Sequence, residues 1–270
     1  MTATVIACLA ALGIGTGFLA GLLGIGGGMI LTPMLTLILS ATDVPAAYTV
    51  HIAIATSMAT ILFTSLSSVR AHHKRGAVLW KVVLWLAPGI VIGAMCGSRV
   101  VSFLPSRIVS LVFVVFVFLS ALKMILNAKP APSRELPGRV GLVVVGLGIG
   151  FLSAIVGAGG GFIAVPFMVW CNVKMHNAVG TSAALGFPIA VAGTIGYVLN
   201  GLQVSELTAL PYMLGFIHLP SLAACAAASV LMAPIGARLA HSMDTKPLKR
   251  VFACMLFILA GYMAWHALAV

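Results

Sequence analysis

The chain reads as an all-α polytopic membrane protein made of two inverted-topology repeats of about five membrane passes each. Three observations predict this. The 270 residues are 61% hydrophobic and 7% charged, with a mean hydropathy of +1.19, whereas a soluble domain needs far more charge to cover its surface. Apolar runs of about 20 residues recur along the chain, each long enough to cross a bilayer as a helix. The run Gly17-Phe18-Leu19-Ala20-Gly21-Leu22-Leu23-Gly24-Ile25-Gly26-Gly27-Gly28, followed by Pro33, returns as Gly150-Phe151-Leu152-Ser153-Ala154-Ile155-Val156-Gly157-Ala158-Gly159-Gly160-Gly161, followed by Pro166. Paired Gly/Pro interruptions in corresponding hydrophobic segments mark the two halves of a transporter and point to its binding site.

The first half offers apolar blocks at 4–23, 27–41, 48–69, 77–98 and 108–127, the second at 140–156, 160–170, 177–199, 211–235 and 251–268. Residues 1–23 lack a basic leader region and are read as a retained helix, not a signal peptide. The repeat extends past the glycines. His51-x4-Thr56-Ser57 matches His176-x4-Thr181-Ser182 at an offset of 125, and Gly97-x-Arg99 matches Gly236-x-Arg238. Residues 1–127 therefore form one membrane repeat and 140–270 the other, with 128–139 as a polar cytoplasmic linker.

Charge decides whether each glycine run is one crossing or a broken-helix hairpin. With hairpins, the Lys and Arg residues in the loops divide 13 to 2 between the two sides, leaving only Arg99 and Arg107 on the poorer one; with single crossings they divide 8 to 7. The positive-inside rule selects hairpins. Five passes per half is an odd number, so the halves are inverted and both termini are expected outside the cytoplasm.

The second arm of each hairpin is short. Residues 29–40 make a helix of about 18 Å and 162–171 one of about 15 Å, so each glycine tip is expected near the middle of a hydrocarbon core of about 30 Å. Non-helical backbone survives there only inside protein or along a cavity. Gly26, Gly27, Gly28 and Gly159, Gly160, Gly161 expose N–H groups at helix N-termini, where the dipole favours an anion. Thr56, Ser57, Thr181 and Ser182 fall about 12–14 Å into their helices and offer hydroxyl donors at the same depth. These ten residues are the candidate substrate-binding set. His51 and His176 are candidates for coupling or gating. His72 and His73, in the basic loop, are expected to be solvated. The outer glycines, Gly13, Gly17, Gly21 and Gly24, with Gly146, Gly150 and Gly157, fit close helix packing.

The net charge of +11 is that of basic loops orienting membrane helices and meeting anionic headgroups, not of a nucleic-acid binder. The five cysteines are scattered with no metal-ligand or redox spacing, and neither a metal nor a cofactor is expected. The four acids, Asp43, Glu135, Glu206 and Asp244, fall in predicted loops. Without an intramembrane carboxylate, cation transport is disfavoured, and proton coupling would run through a histidine or the substrate itself.

The doubled G-x3-G-x2-G-x-G-G-G with its proline, and the later H-x4-T-S, resemble the TauE/SafE family of sulfite and organosulfonate carriers over both halves. The resemblance implies a secondary transporter of the bacterial inner membrane that exports small sulfur-containing anions and is linked to the proton gradient. It carries onto Gly24, Gly26, Gly27, Gly28 and Pro33, and onto Gly157, Gly159, Gly160, Gly161 and Pro166. A passive anion channel or facilitator on the same scaffold, or a carrier of another small organic anion, is the alternative.

Overall fold

The computed structural model describes residues 3–24, 26–42, 44–126, 135–240 and 246–269. Most of the linker read at 128–139, together with Asp43 and Asp244, lies outside them. In the bilayer core a helix satisfies its own backbone, and the apolar blocks are helical. They are α1 (Ala3–Leu23), α2 (Gly28–Leu39), α3 (Thr49–His73), α4 (Trp80–Phe103), α5 (Ser106–Ile125), α6 (Arg139–Val156), α7 (Gly161–Trp170), α8 (Met175–Gly201), α9 (Ser205–Thr208), α10 (Leu219–Leu239) and α11 (Lys246–Ala269). Among the described residues, eight helices are long and apolar enough to span a membrane, while α2 and α7 are apolar but shorter. The outward faces are those of a lipid-solvated protein: Leu84, Phe103, Leu231 and Ile258 are each two-thirds exposed or more, a pattern that water does not support.

The order of packing crosses the halves. Helix α1 packs along α10 and α6 along α4, each first helix lying on the third long helix of the other half. Both pairs run parallel, because Gly13, Gly17 and Gly21 meet Cys225, Ser229 and Ala233 in turn, and Gly89, Gly93 and Gly97 meet Val143, Leu147 and Phe151. A Cβ at Gly21 would lie 2.0 Å from the Ala233 carbonyl oxygen and one at Gly89 1.9 Å from that of Val143. Glycine is what lets these backbones touch, as in small-residue membrane interfaces. Helices α3 and α8 pack against each other in the interior, and α5 packs on α11, where Phe118 and Phe257 meet edge to face at 5.1 Å.

Two elements differ from the sequence reading. The block at 211–235 begins not as helix but as a tight hairpin, β1 (Met213–Leu214) and β2 (Ile217–His218), turned at Gly215 with φ +58°. Phe216 is fully buried there against Tyr197 and His51, and Pro220 in the first turn of α10 fits a helix start. Helix α3 is also a turn longer than its block. It carries His72 into the protein, so His72 is fully buried rather than solvated, whereas His73 is exposed.

Candidate functional site

The glycine runs are where the chain doubles back. After α1, Gly24, Gly26 and Gly27 all adopt left-handed φ (+68°, +77° and +71°), and Gly27 comes back against Thr16, seven residues before the end of α1. The second copy does the same with Gly157 (φ +67°) and Gly160 (φ +76°), the latter meeting Ile149 and Ser153 of α6. A β-carbon is strained in these conformations. Each reversal starts a short helix whose first N–H groups have no intrahelical acceptor. The N-cap positions, Gly27 for α2 and Gly160 for α7, supply no side-chain cap.

The two tips meet. A Cβ on Gly26 would stand 2.7 Å from the Gly159 Cα, and one on Gly28 would stand 2.0 Å from the Gly157 carbonyl oxygen. Beside the contact lies a cavity of ≈ 10 Å³, bounded among others by Gly24, Gly26, Gly159, Ser182, Thr64 and Ser68. That is room for about one water. The centre of the protein is closed in this conformation.

The predicted hydroxyls are at this level, and each is fully buried and bonded across the halves. Ser57 donates to the Gly157 carbonyl at 3.0 Å and Ser182 to the Gly24 carbonyl at 2.9 Å. Thr56 accepts from the His218 N–H at 3.1 Å, and Thr181 from the Leu79 N–H at 2.9 Å. The two halves make matching bonds, from hydroxyls that correspond at the 125-residue offset between α3 and α8. A third pair follows the same rule: His72 Nε2 sits 3.1 Å from the Gly21 carbonyl, and the Tyr197 hydroxyl donates to the Ala154 carbonyl at 2.8 Å. His72 is thus the positional twin of a core tyrosine, which explains its burial.

The two candidate histidines have unlike surroundings. His51 is buried, with Nε2 3.1 and 3.0 Å from the carbonyls of Val101 and Leu104 at the end of α4, and its ring stacks on Phe216 at 5.6 Å. With Nε2 protonated it caps that corner. His176 is exposed in the first turn of α8.

Sequence reasoning missed the hydroxyls further along α3. Thr60, Thr64, Ser65 and Ser68 are all buried, and three of them line the cavity. For Thr60, Thr64 and Ser68 the four-residue spacing from Thr56 was the available signal. Among the described residues, no three of His, Cys, Asp and Glu gather as metal ligands.

The match to known proteins now has a structural frame. The family model described as sulfite exporter TauE/SafE matches residues 9–263. The chain belongs to the TauE/SafE sulfite exporter family. A probable membrane transporter protein of Haemophilus influenzae is 32% identical over 90% of this chain and 92% of its own length. YdhB of Bacillus subtilis, also described as a probable membrane transporter protein, is 30% identical over 68% of this chain and 76% of its own. A third, from Methanocaldococcus jannaschii, is 25% identical over 92% and 91%. No solved structure matches. This TauE/SafE protein is accordingly a multi-pass membrane transporter, and the uncapped glycine tips are the feature its two halves hold in common at the centre.

Proposed function

We propose that this transporter exports small sulfur-containing oxyanions, such as sulfite or a short organosulfonate, across a bacterial inner membrane by alternating access. The carrying observation is that two uncapped helix N-termini, one from each half, abut in the protein interior. An anion between them gains from two dipole ends and from backbone N–H groups that nothing else has claimed. The substrate-binding set is Gly26, Gly27, Gly28, Thr56, Ser57, Gly159, Gly160, Gly161, Thr181 and Ser182. In the closed form the four hydroxyls hold the halves together, and opening frees them to solvate the anion without adding charge. The halves act as inverted repeats that rock about this centre, with both termini outside the cytoplasm. A closed centre with room for about one water favours a gated carrier over a permanently open pore.

The test is uptake of radiolabelled sulfite into proteoliposomes, with and without an imposed pH gradient. Saturable uptake that responds to the gradient is the expected result and supports proton-coupled carriage. No uptake above empty vesicles by correctly inserted protein discards sulfite and turns the search to larger sulfonates.

A further inference from the structure

Helix α3 carries a buried polar stripe that its symmetry partner lacks. Thr56, Thr60, Thr64, Ser68 and His72 recur every four residues, and none is more than 2% exposed. Sixteen residues of helix span about 24 Å, most of a bilayer core, and the stripe ends beside the basic loop with Arg70, Lys74 and Arg75. At the 125-residue offset on α8 the places of Thr60, Thr64 and Ser68 are held by Leu185, Ile189 and Gly193. The fold is therefore satisfied by apolar residues here, and the hydroxyls on α3 answer another need.

Most hydroxyls inside membrane helices bond back to their own backbone. Thr60 and Thr64 do, donating to the carbonyls of Thr56 and Thr60 at 2.8 and 3.0 Å. Ser68 does not: its Oγ is buried at the edge of the central cavity and has no hydrogen-bond partner. Leaving a buried hydroxyl unpaired costs about 1–3 kcal/mol, so this atom calls for a partner that the protein itself does not supply. The cover over the stripe is the α1–α10 pair, fastened by hydrogen bonds that separation would break. Thr64 and Ser229 share one at 2.6 Å, Ser67 donates to the Val230 carbonyl at 2.7 Å, and Arg75 donates to that of Ala237 at 3.1 Å.

We propose that the α3 stripe lines the route between the central cavity and the basic loop, with Ser68 as the hydroxyl that takes an oxyanion oxygen first. The α1–α10 pair is its gate. Hydroxyl donors solvate the anion along the way, and the arginines and lysines of the loop concentrate it at the mouth. This inference rests on the anion-transport reading, and its test separates the two.

In a variant lacking the five native cysteines, Ser68→Cys is treated with the anionic thiol reagent 2-sulfonatoethyl methanethiosulfonate. The reagent is added from the side on which it modifies Lys74→Cys. Expected is modification of Ser68→Cys from that side, slowed at least tenfold by saturating ethanesulfonate, a short sulfonate that attacks neither the reagent nor the mixed disulfide as sulfite would, and a several-fold higher sulfite KM in Ser68→Ala. Sulfite flux with Ser68→Cys left unmodified overturns the route. Modification without sulfite flux supports the route and overturns sulfite as the substrate. Thr64→Cys, one turn back on the same face, serves if Ser68→Cys fails to insert, with the same outcomes.

Discussion

Gly27 and Gly28 do different jobs a single bond apart. Gly27 holds φ +71°, which costs a β-branched side chain about 1–2 kcal/mol. Gly28 has an ordinary φ but no room, since its Cβ would press on the Gly157 carbonyl oxygen. Gly28→Ala is therefore predicted to destabilise the protein by about 1–3 kcal/mol through overpacking, read as thermal unfolding in detergent, whereas Gly15→Ala, with nothing within 4 Å of the added carbon, leaves it unchanged. Gly27→Val and Gly160→Val are predicted to abolish flux while the protein still reaches the membrane; unchanged flux would remove the tips from the binding site. Ser57 and Ser182 make the same bond in opposite directions between the halves. Hydrogen bonds between membrane helices average about 0.6 kcal/mol, but each serine-to-alanine change also strands a buried carbonyl, so about 1 kcal/mol per site is expected. A double-mutant cycle in which the two losses fail to reach about twice the single one would show that the bonds do not act as separate fasteners.

The helices are held in pairs by glycine seams as well as by apolar bulk. On α1 the seam is Gly13, Gly17 and Gly21, and on α4 it is Gly89, Gly93 and Gly97. A leucine at Gly21 or Gly89 would have to push a neighbouring backbone aside, since the first added carbon already lies about 2 Å from a carbonyl oxygen. These variants are predicted to lose the folded protein, measured as the monodisperse fraction after detergent extraction, while Gly148→Leu, which faces open space, retains it. Equal yields would mean that the parallel pairs α1–α10 and α4–α6 are not what holds the bundle.

The molecule as a whole is two halves that exchange contacts: each first helix lies on the other half's third long helix, and the matching hydrogen bonds cross the same boundary. Neither half buries its small-residue seam alone. The proposed inverted arrangement, with both termini outside the cytoplasm, predicts that alkaline phosphatase fused after Val270 is active and that green fluorescent protein fused there is dark. The reverse result would place the C-terminus in the cytoplasm and overturn the orientation assigned from the basic loops.

Much of this was legible in the chain by itself. Composition alone demands lipid as solvent, and the duplicated glycine run locates both breaks, because only glycine takes left-handed backbone and abutting chains without strain. Thr56, Ser57, Thr181 and Ser182 were found through the same repeat. What a one-dimensional pattern does not carry is which hydroxyl meets which carbonyl. The serines bond to carbonyls 100 and 158 residues away in sequence, His72 lies under α1 because α3 runs one turn past its apolar block, and Ser68, unlike Thr64, finds no partner among its neighbours. Local periodicity and backbone freedom determine where helices form and break; side-chain partners, burial and the closed central cavity arise from contacts between segments far apart in the chain, and only the tertiary structure decides those.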